Sequence, residues 1–168
     1  MRPLPILCVG VLLVLAGCTL GPLGPTGQKG PVTVVVNNSA DTTHTFEVWV
    51  VELPANVTER RDDGLTATGS IGQGLGGGNP GDNHTFTAVE LPDSARLHGR
   101  YTLDPGEKNR SSIEEFHSSF AVVIVVYLDE DEIISYVTAN CDEADFVALG
   151  VTSRPNPPGG VSAAYTCQ

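Results

Sequence analysis

Positive charge is scarce in this 168-residue sequence, which has nine Lys and Arg residues against twenty Asp and Glu residues. The formal net charge is −11 at pH 7. Nucleic-acid binding needs clustered Lys and Arg residues that neutralise phosphates and release counterions. We therefore exclude DNA and RNA as partners.

Catalytic signatures are also missing. The sequence has no Gly-x-Ser-x-Gly elbow and no His-Glu-x-x-His pair, which are local patterns of many hydrolases and metalloproteases. Because catalytic triads are defined by geometry, an extracellular hydrolase assembled only in the tertiary structure is an alternative. We predict that the protein is not an enzyme and has no cofactor.

Metal-ligand spacing is absent from the histidines. None pairs with another at the i, i+4 spacing of ligands on a helix. His44 and His84 begin predicted strands, and we expect both to be exposed at loop edges; the alternative is that these two meet in space. The four are His44, His84, His98 and His117.

No apolar run is long enough to cross a bilayer as a helix, which takes about 20 residues. The run at residues 4–16 follows a basic start, Met1-Arg2, and is broken early by Pro3 and Pro5. A basic start, a short apolar middle and a small-residue cleavage region are typical of a signal peptide. We predict that residues 1–17 are removed.

The tetrapeptide Leu15-Ala16-Gly17-Cys18 closes this run. It resembles the lipobox of secreted prokaryotic lipoproteins, in which the cysteine becomes the lipidated first residue. The resemblance implies a lipid anchor on Cys18, which holds the protein on the extracytoplasmic face of the cell membrane. Residues 18–31 then form a flexible Gly- and Pro-rich tether. The alternative is a plain secretory peptide, with Cys18 incidental.

The mature chain is strongly acidic. Without residues 1–17 it keeps eight basic and twenty acidic residues, a net charge of about −12. With only two lysines, the composition resembles proteins of salt-loving archaea, where high salt screens self-repulsion. An ordinary acidic secreted protein is the alternative.

The four cysteines separate by position. Cys8 falls in the signal peptide and Cys18 is the predicted anchor. Cys141 and Cys167 remain as an even pair in an oxidising compartment, and we predict a disulfide between them. This bond would fix the C-terminal end of the chain.

Residues 32–168 have the periodicity of strands. Residues 32–36 and 45–53 are predicted to form a hairpin, and residues 120–128, apolar on both faces, a central strand. Residues 111–116 fit a one-turn helix or an extended segment equally well. The pattern predicts an all-β, antiparallel Greek-key sandwich of about seven to nine strands.

Residues 55–83 show no sustained period and are rich in glycine. They lack the Gly-Lys-Ser/Thr ending of a phosphate-binding loop. We expect a mobile surface loop, and because long loops are often functional, we expect it to be the contact surface for an unknown protein or small-molecule ligand.

Two families are resembled by the turns. Val34-Val-Val-Asn37, His44-Thr-Phe46 and Leu103-Asp-Pro-Gly-Glu107 resemble the immunoglobulin-like accessory domains of archaeal lipoproteins. The His44 segment, together with Tyr165-Thr-Cys167 near the C-terminus, also resembles the cupredoxins. A blue-copper site needs two histidines, a cysteine and usually an axial methionine, but only Gln168 follows Cys167. The second resemblance therefore implies a degenerate cupredoxin-like domain, which is the alternative to a non-catalytic binding domain.

Two further surface patterns have plain explanations. The acidic runs at 129–132 and 142–145 suit Ca²⁺ chemically but lack the EF-hand order, so we expect solvated turns. Four N-glycosylation patterns fall in predicted loops. Their acceptors are Asn37, Asn56, Asn83 and Asn109.

Overall fold

The computed structural model describes residues 30–81, 83–129, 131–155 and 160–168. The predicted signal peptide and nearly all of the tether, including Cys18, lie outside these residues. The described residues contain no helix long and apolar enough to cross a membrane. Their strands are β1 (Gly30–Asn38), β2 (His44–Glu52), β3 (Asn56–Arg61), β4 (Thr66–Ser70), β5 (Gly74–Gly78), β6 (Phe86–Glu90), β7 (Arg96–Leu103), β8 (Lys108–Phe116), β9 (Phe120–Leu128), β10 (Glu132–Asn140), β11 (Phe146–Ser153) and β12 (Val161–Cys167).

The strands form two sheets, which confirms the predicted all-β sandwich. The smaller sheet has the order β12-β11-β1-β8. The larger has the order β4-β3-β6-β10-β9-β2-β7, and β5 also pairs with β10. The structure describes twelve strands, so the expected seven to nine was too few. The immunoglobulin-like or cupredoxin-like assignment stays a prediction.

The position of β1 differs from the prediction. The hairpin expected between β1 and β2 is wrong, because the two strands belong to different sheets. The pairing of the described strands is mainly antiparallel, as predicted, but β1 runs parallel to β11, with Val34 opposite Leu149. The turn-rich residues after β1 therefore carry the chain across the sandwich instead of back along the same sheet.

The inner core lies between the two sheets. Alternate residues of β1 point inward, and Val32, Val34 and Val36 are at most 1% exposed. They meet the inward faces of β2, β9 and β11. Burying each such side chain contributes about 1.5–3 kcal/mol. The largest fully buried side chains of this core are Phe46, Ile124 and Leu149.

Strand β9 is covered on both faces, as its uninterrupted apolar sequence predicts. Val122, Ile124 and Val126 belong to the inner core. The residues that alternate with them, Ala121, Val123 and Val125, belong to a second, outer core on the other face of the larger sheet. One strand therefore contributes to two separate cores.

The outer core is covered largely by residues 55–83, whose sequence has no sustained hydrophobic periodicity. The expectation of an unstructured loop at 55–83 is wrong, because the segment contains β3, β4 and β5. Strand β6 pairs with β10 at one position only, Ile133 opposite Phe86. From there, Val57, Ile71 and Val89 pack across the back of β9. Residues 53–95 thus supply an outer layer.

Strand β5 lies flat against β10 because it is almost entirely glycine. A Cβ on Gly77, whose φ is +149°, would stand 2.3 Å from the carbonyl oxygen of Tyr136. A Cβ on Gly76 would stand 2.6 Å from Thr138 Oγ1. The glycine run resembles a flexible linker in the sequence, but it allows two backbones to approach closely.

Tyrosine–glutamate hydrogen bonds cross the outer surface of the larger sheet. The hydroxyl of Tyr136 donates to Glu59 over 3.0 Å and that of Tyr127 donates to Glu47 over 2.9 Å. Burial, followed by the hydrogen bond to Glu59, raises the pKa of Tyr136 to about 12. Burial and Glu47 raise the pKa of Tyr127 well above its usual value. These contacts hold carboxylates at half-buried positions.

The predicted disulfide between Cys141 and Cys167 is present. It joins the segment after β10 to the last residue of β12. Gln168 and Asp145 exchange two backbone hydrogen bonds beside it. The C-terminus is therefore fixed at the end of the sandwich where β1 begins, because β11 runs parallel to β1 and its first residue, Phe146, pairs with Cys167.

Candidate ligand-binding cleft

Strands β7 and β8 are facing edges of the two sheets, and each contains a bulge at the same end of the sandwich. In β7, Val48 and Trp49 of β2 pair with Gly99 and Leu97, so His98 is the extra residue. In β8, the register against β1 also shifts by one residue. Bulges interrupt pairing and re-aim side chains, and they are frequent beside active sites.

The bulge in β8 depends on Glu115, whose φ of +53° lies in the left-handed region. Gly30 pairs with Phe116 and Val32 with Ile113, so three intervals of β8 oppose two of β1. Both Ile113 and Phe116 consequently reach the inner core. Residues 111–116, which fit a one-turn helix or an extended segment equally well in the sequence, are therefore extended.

A cleft of about 430 Å³ lies between the two bulged strands. This volume is within the range of small-molecule sites, about 300–1,000 Å³. Apolar residues, charged residues and two histidines share its surface. The lining residues are Val50, Arg96, Leu97, His98, Ile113, Glu114, Glu115, Phe116, His117 and Phe120.

Aromatic contacts hold the floor of the cleft. Phe120 lies 6.0 Å from Phe116, and Phe116 lies 5.5 Å from Phe146, both edge-to-face. The ring of His117 is also edge-on to Phe120, at 5.6 Å. The short β8–β9 turn closes with a hydrogen bond from the N–H of Phe120 to the carbonyl of His117. The floor is therefore anchored to the inner core.

The charged groups of the cleft do not neutralise each other. Arg96 lies over the Phe120 ring, with 5.7 Å between its guanidinium carbon and the ring centroid. Glu114 and Glu115 line the cleft from β8. The ion pairs found among the described residues all lie elsewhere. The cleft thus presents one cation and two carboxylates over an apolar floor.

The histidines do not behave as a group. His44, expected at an exposed loop edge, is 5% exposed, and its Nδ1 lies 3.1 Å from the carbonyl of Thr42. His84 contacts Asp62 instead. His98 and His117 both line the cleft, which nothing in their spacing indicates, because they come from facing edges of two sheets.

A second cluster lies on the outer layer. His84 Nδ1 is 3.1 Å from Asp62 Oδ1, and His84 Nε2 is 3.9 Å from Asp63 Oδ2. In the described part of the chain this is the one group of three potential metal ligands within 4.8 Å of one another. Sequence reasoning missed it because some twenty residues separate its members, and no short spacing indicates it.

Every carboxylate of this cluster already has partners. Asp63 pairs with Arg61 and accepts from the N–H of Leu65, and these contacts hold the pKa of Asp63 below its usual value. Desolvation opposes ionisation of Asp62, but hydrogen bonds from His84 and Thr85 outweigh it and lower its pKa. The cluster closes the turn after β3 against the segment before β6.

All four candidate glycosylation acceptors were expected in loops, but three of them lie in strands. Asn37 lies in β1, Asn56 begins β3 and Asn109 lies in β8. Asn83 lies outside the strands, with a φ of +67°. Asn56 and Asn83 are exposed, whereas Asn37 and Asn109 are half-buried. The three-residue glycosylation pattern is too short to indicate backbone structure, so it could not predict that three acceptors lie in paired strands.

The acidic runs agree with the expectation of turns where they are described. Asp129 and Asp131 flank the β9–β10 turn and are exposed, while Glu130 lies outside the described residues. Asp142 and Glu143 are exposed beside the disulfide. Neither run forms a three-ligand group within the residues that the structure describes.

Comparisons with known proteins assign no family. No family model matches the chain, and no curated protein is detectably similar to it. Four solved chains match by shape. One, titled "Trapped Toxin", matches with a TM-score of 0.38 and 6% identity over 82% of this chain and 24% of that chain.

Proposed function

We propose that the protein is a lipid-anchored binding module on the extracytoplasmic face of the cell membrane, and that the cleft between β7 and β8 holds its ligand. The observation that carries the binding role is the unneutralised set of opposite charges over an apolar floor. Sites for small molecules combine such apolar surface with a few polar groups that orient the ligand.

The disulfide and the leader support the location. A structural disulfide persists in oxidising compartments outside the cytosol, and Cys141 and Cys167 are paired. The lipobox-like residues that end at Cys18 supply the anchor. Neither observation identifies the ligand, so the binding proposal depends on the cleft alone.

The binding role moves from residues 55–83 to the cleft because that segment forms strands of the larger sheet and packs on the outer face of β9. Copper binding gains no support. The cysteine that the cupredoxin resemblance requires, Cys167, is in the disulfide. His44 lies at the other end of the sandwich, beside the buried Asn38, since both contact the carbonyl of Thr42.

Fractionation of cells that express the full chain tests the anchor. We expect the wild type in the membrane fraction and Cys18→Ser in the medium. Cys8→Ser is the matched control, because Cys8 lies in the predicted signal peptide and is absent from the mature chain, and this variant should stay with the membrane. Membrane retention of Cys18→Ser would refute lipid anchoring.

Binding is tested with full-length protein extracted from membranes. A panel of small metabolites is screened by thermal shift, first on the wild type and then on Phe120→Ala. A ligand should raise the melting temperature of the wild type and lose most of that effect in the variant. A ligand whose effect is unchanged in Phe120→Ala would place binding outside the cleft and contradict this assignment.

A further inference from the structure

The cation of the cleft is positioned to receive an anion. The guanidinium of Arg96 lies over the Phe120 ring, within the range of a cation–π contact. The N–H donors at the rim of a guanidinium bind a carboxylate in two-pronged fashion. No carboxylate of the described residues occupies that position, because Arg96 takes part in none of their ion pairs.

The opposite wall is positioned to receive a cation. Glu114 and Glu115 are consecutive, exposed and part of the cleft lining. The bulge at Glu115 breaks the alternation that would place two consecutive side chains on opposite faces of a strand. Two adjacent carboxylates without a cation repel each other, and an ammonium group between them removes that repulsion.

Size and charge narrow the class further. The cleft is near the lower end of the volumes that hold small molecules. One Arg against two Glu in the lining disfavours anions with several charges. The apolar lining residues Val50, Ile113 and Phe120 offer surface to one apolar side chain.

We propose that the cleft binds a free α-amino acid with an apolar side chain, its carboxylate on Arg96 and its ammonium group on Glu114 and Glu115. This inference rests on the proposed function, since it names the ligand class of the same cleft. The side chain of the ligand lies on the aromatic floor. A zwitterion pairs with Arg96 and with the two glutamates at once, whereas a carboxylate or an ammonium group alone pairs with only one side of the cleft.

Calorimetric titration of the membrane-extracted full chain tests the proposal with three matched probes. L-phenylalanine carries both charges, 3-phenylpropionate only the carboxylate and phenethylamine only the ammonium group. We expect L-phenylalanine to bind at least tenfold more tightly than either half-molecule. Equal affinities for the three, or no heat from L-phenylalanine, would overturn the inference.

Charge-removing variants assign the walls. Arg96→Gln should weaken L-phenylalanine and 3-phenylpropionate about tenfold and leave phenethylamine unchanged. Glu114→Gln with Glu115→Gln should weaken L-phenylalanine and phenethylamine and leave 3-phenylpropionate unchanged. Arg96→Lys, which keeps the charge but not the planar fork, should fall between Arg96→Gln and the wild type.

The controls use an ion pair away from the cleft. Arg60 and Glu90 pair over 3.0 Å on the outer layer, so Arg60→Gln and Glu90→Gln should bind all three probes like the wild type. Equal losses in control and cleft variants would overturn the inference. If a neutral metabolite from the thermal-shift panel binds in a Phe120-dependent way while L-phenylalanine does not, the amino-acid class is wrong and the binding function stands.

Discussion

The two cores that share β9 are built from different materials. The inner core joins two regular sheets through β-branched and aromatic side chains, and Cys141 of the disulfide belongs to it. The outer core joins one sheet to an irregular layer through a smaller set of residues, supplemented by tyrosine–glutamate hydrogen bonds and a glycine strand. Because β9 is common to both, its alternate residues compare the two cores directly.

The comparison shows that a buried face does not require a regular partner. Val122 and Val123 are both 0% exposed, although one faces regular strands and the other a layer with short strands and turns. We expect the inner core to set global stability and the outer layer to open at lower free energy, as locally unfolding units do.

Removing the disulfide should have the largest effect. The double variant Cys141→Ala with Cys167→Ala frees a loop with a sequence separation of 26, for which the chain-entropy model gives about 3–4 kcal/mol. Urea denaturation of the oxidised wild type and the variant measures the loss. An unchanged transition midpoint would show that the disulfide does not stabilise the inner core.

Matched truncations on β9 compare the cores themselves. We expect Val122→Ala to cost about 3 kcal/mol and Val123→Ala about 2 kcal/mol, since the outer layer collapses more readily onto the lost volume. Both free energies come from urea denaturation. A larger loss in Val123→Ala would reverse the ranking of the two cores.

A single methyl group tests the close approach of β5. Gly77→Ala should destabilise the protein by about 2 kcal/mol, because the added Cβ meets the carbonyl of Tyr136 and φ is positive. At Gly72 nothing lies within 4 Å of an added Cβ, so Gly72→Ala is the control and should change stability by less than about 0.5 kcal/mol. Thermal unfolding distinguishes them, and equal melting temperatures would contradict the packing of β5.

The smallest effect should come from the tyrosine on the outer layer. Burial, followed by the hydrogen bond to Glu59, raises the pKa of Tyr136 to about 12, above the value of about 10 for an unperturbed tyrosine. The hydrogen bond from Tyr136 to Glu59 therefore contributes fully to folding stability below pH 10, and this contribution is lost as the pH rises toward 12. Tyr136→Phe should weaken this alkaline loss of stability, and Glu59→Gln should reduce it only partly, because burial is the larger cause. Melting temperatures between pH 9 and pH 12 measure the slopes.

The regular part of the fold follows from local pattern. The alternation in β1 and the uninterrupted apolar run of β9 predict strands, and the second also predicts cover on both faces. The pairing of β1 does not follow, since strand periodicity fixes which face is buried and not which neighbour lies beside it. Residues 55–83 fail for another reason, because glycines that permit close packing look the same as glycines that permit flexibility.

The candidate cleft was even less accessible to sequence reasoning. Phe120 and His117 are close in the chain, but Arg96 and His98 come from β7, and Glu114 and Glu115 come from β8 of the smaller sheet. Their meeting depends on two bulges, and a bulge is one extra residue that leaves little trace in a hydrophobic pattern. The disulfide between Cys141 and Cys167 was predictable because, with Cys8 and Cys18 assigned elsewhere, only these two cysteines remained to pair in an oxidising compartment.

The parallel alignment of β1 with β11 has a consequence for the order in which the molecule can assemble. β1 is the first described strand, yet both of its neighbours, β8 and β11, come late in the chain. A polypeptide delivered from its N-terminus must hold that valine-rich strand unpaired until β8 has emerged, and must leave its other edge open until β11 follows, since distant contacts form only after long loops close. Completion of the smaller sheet is therefore deferred to the end of delivery, and a chain cut before β11 would leave one edge of β1 without its partner strand.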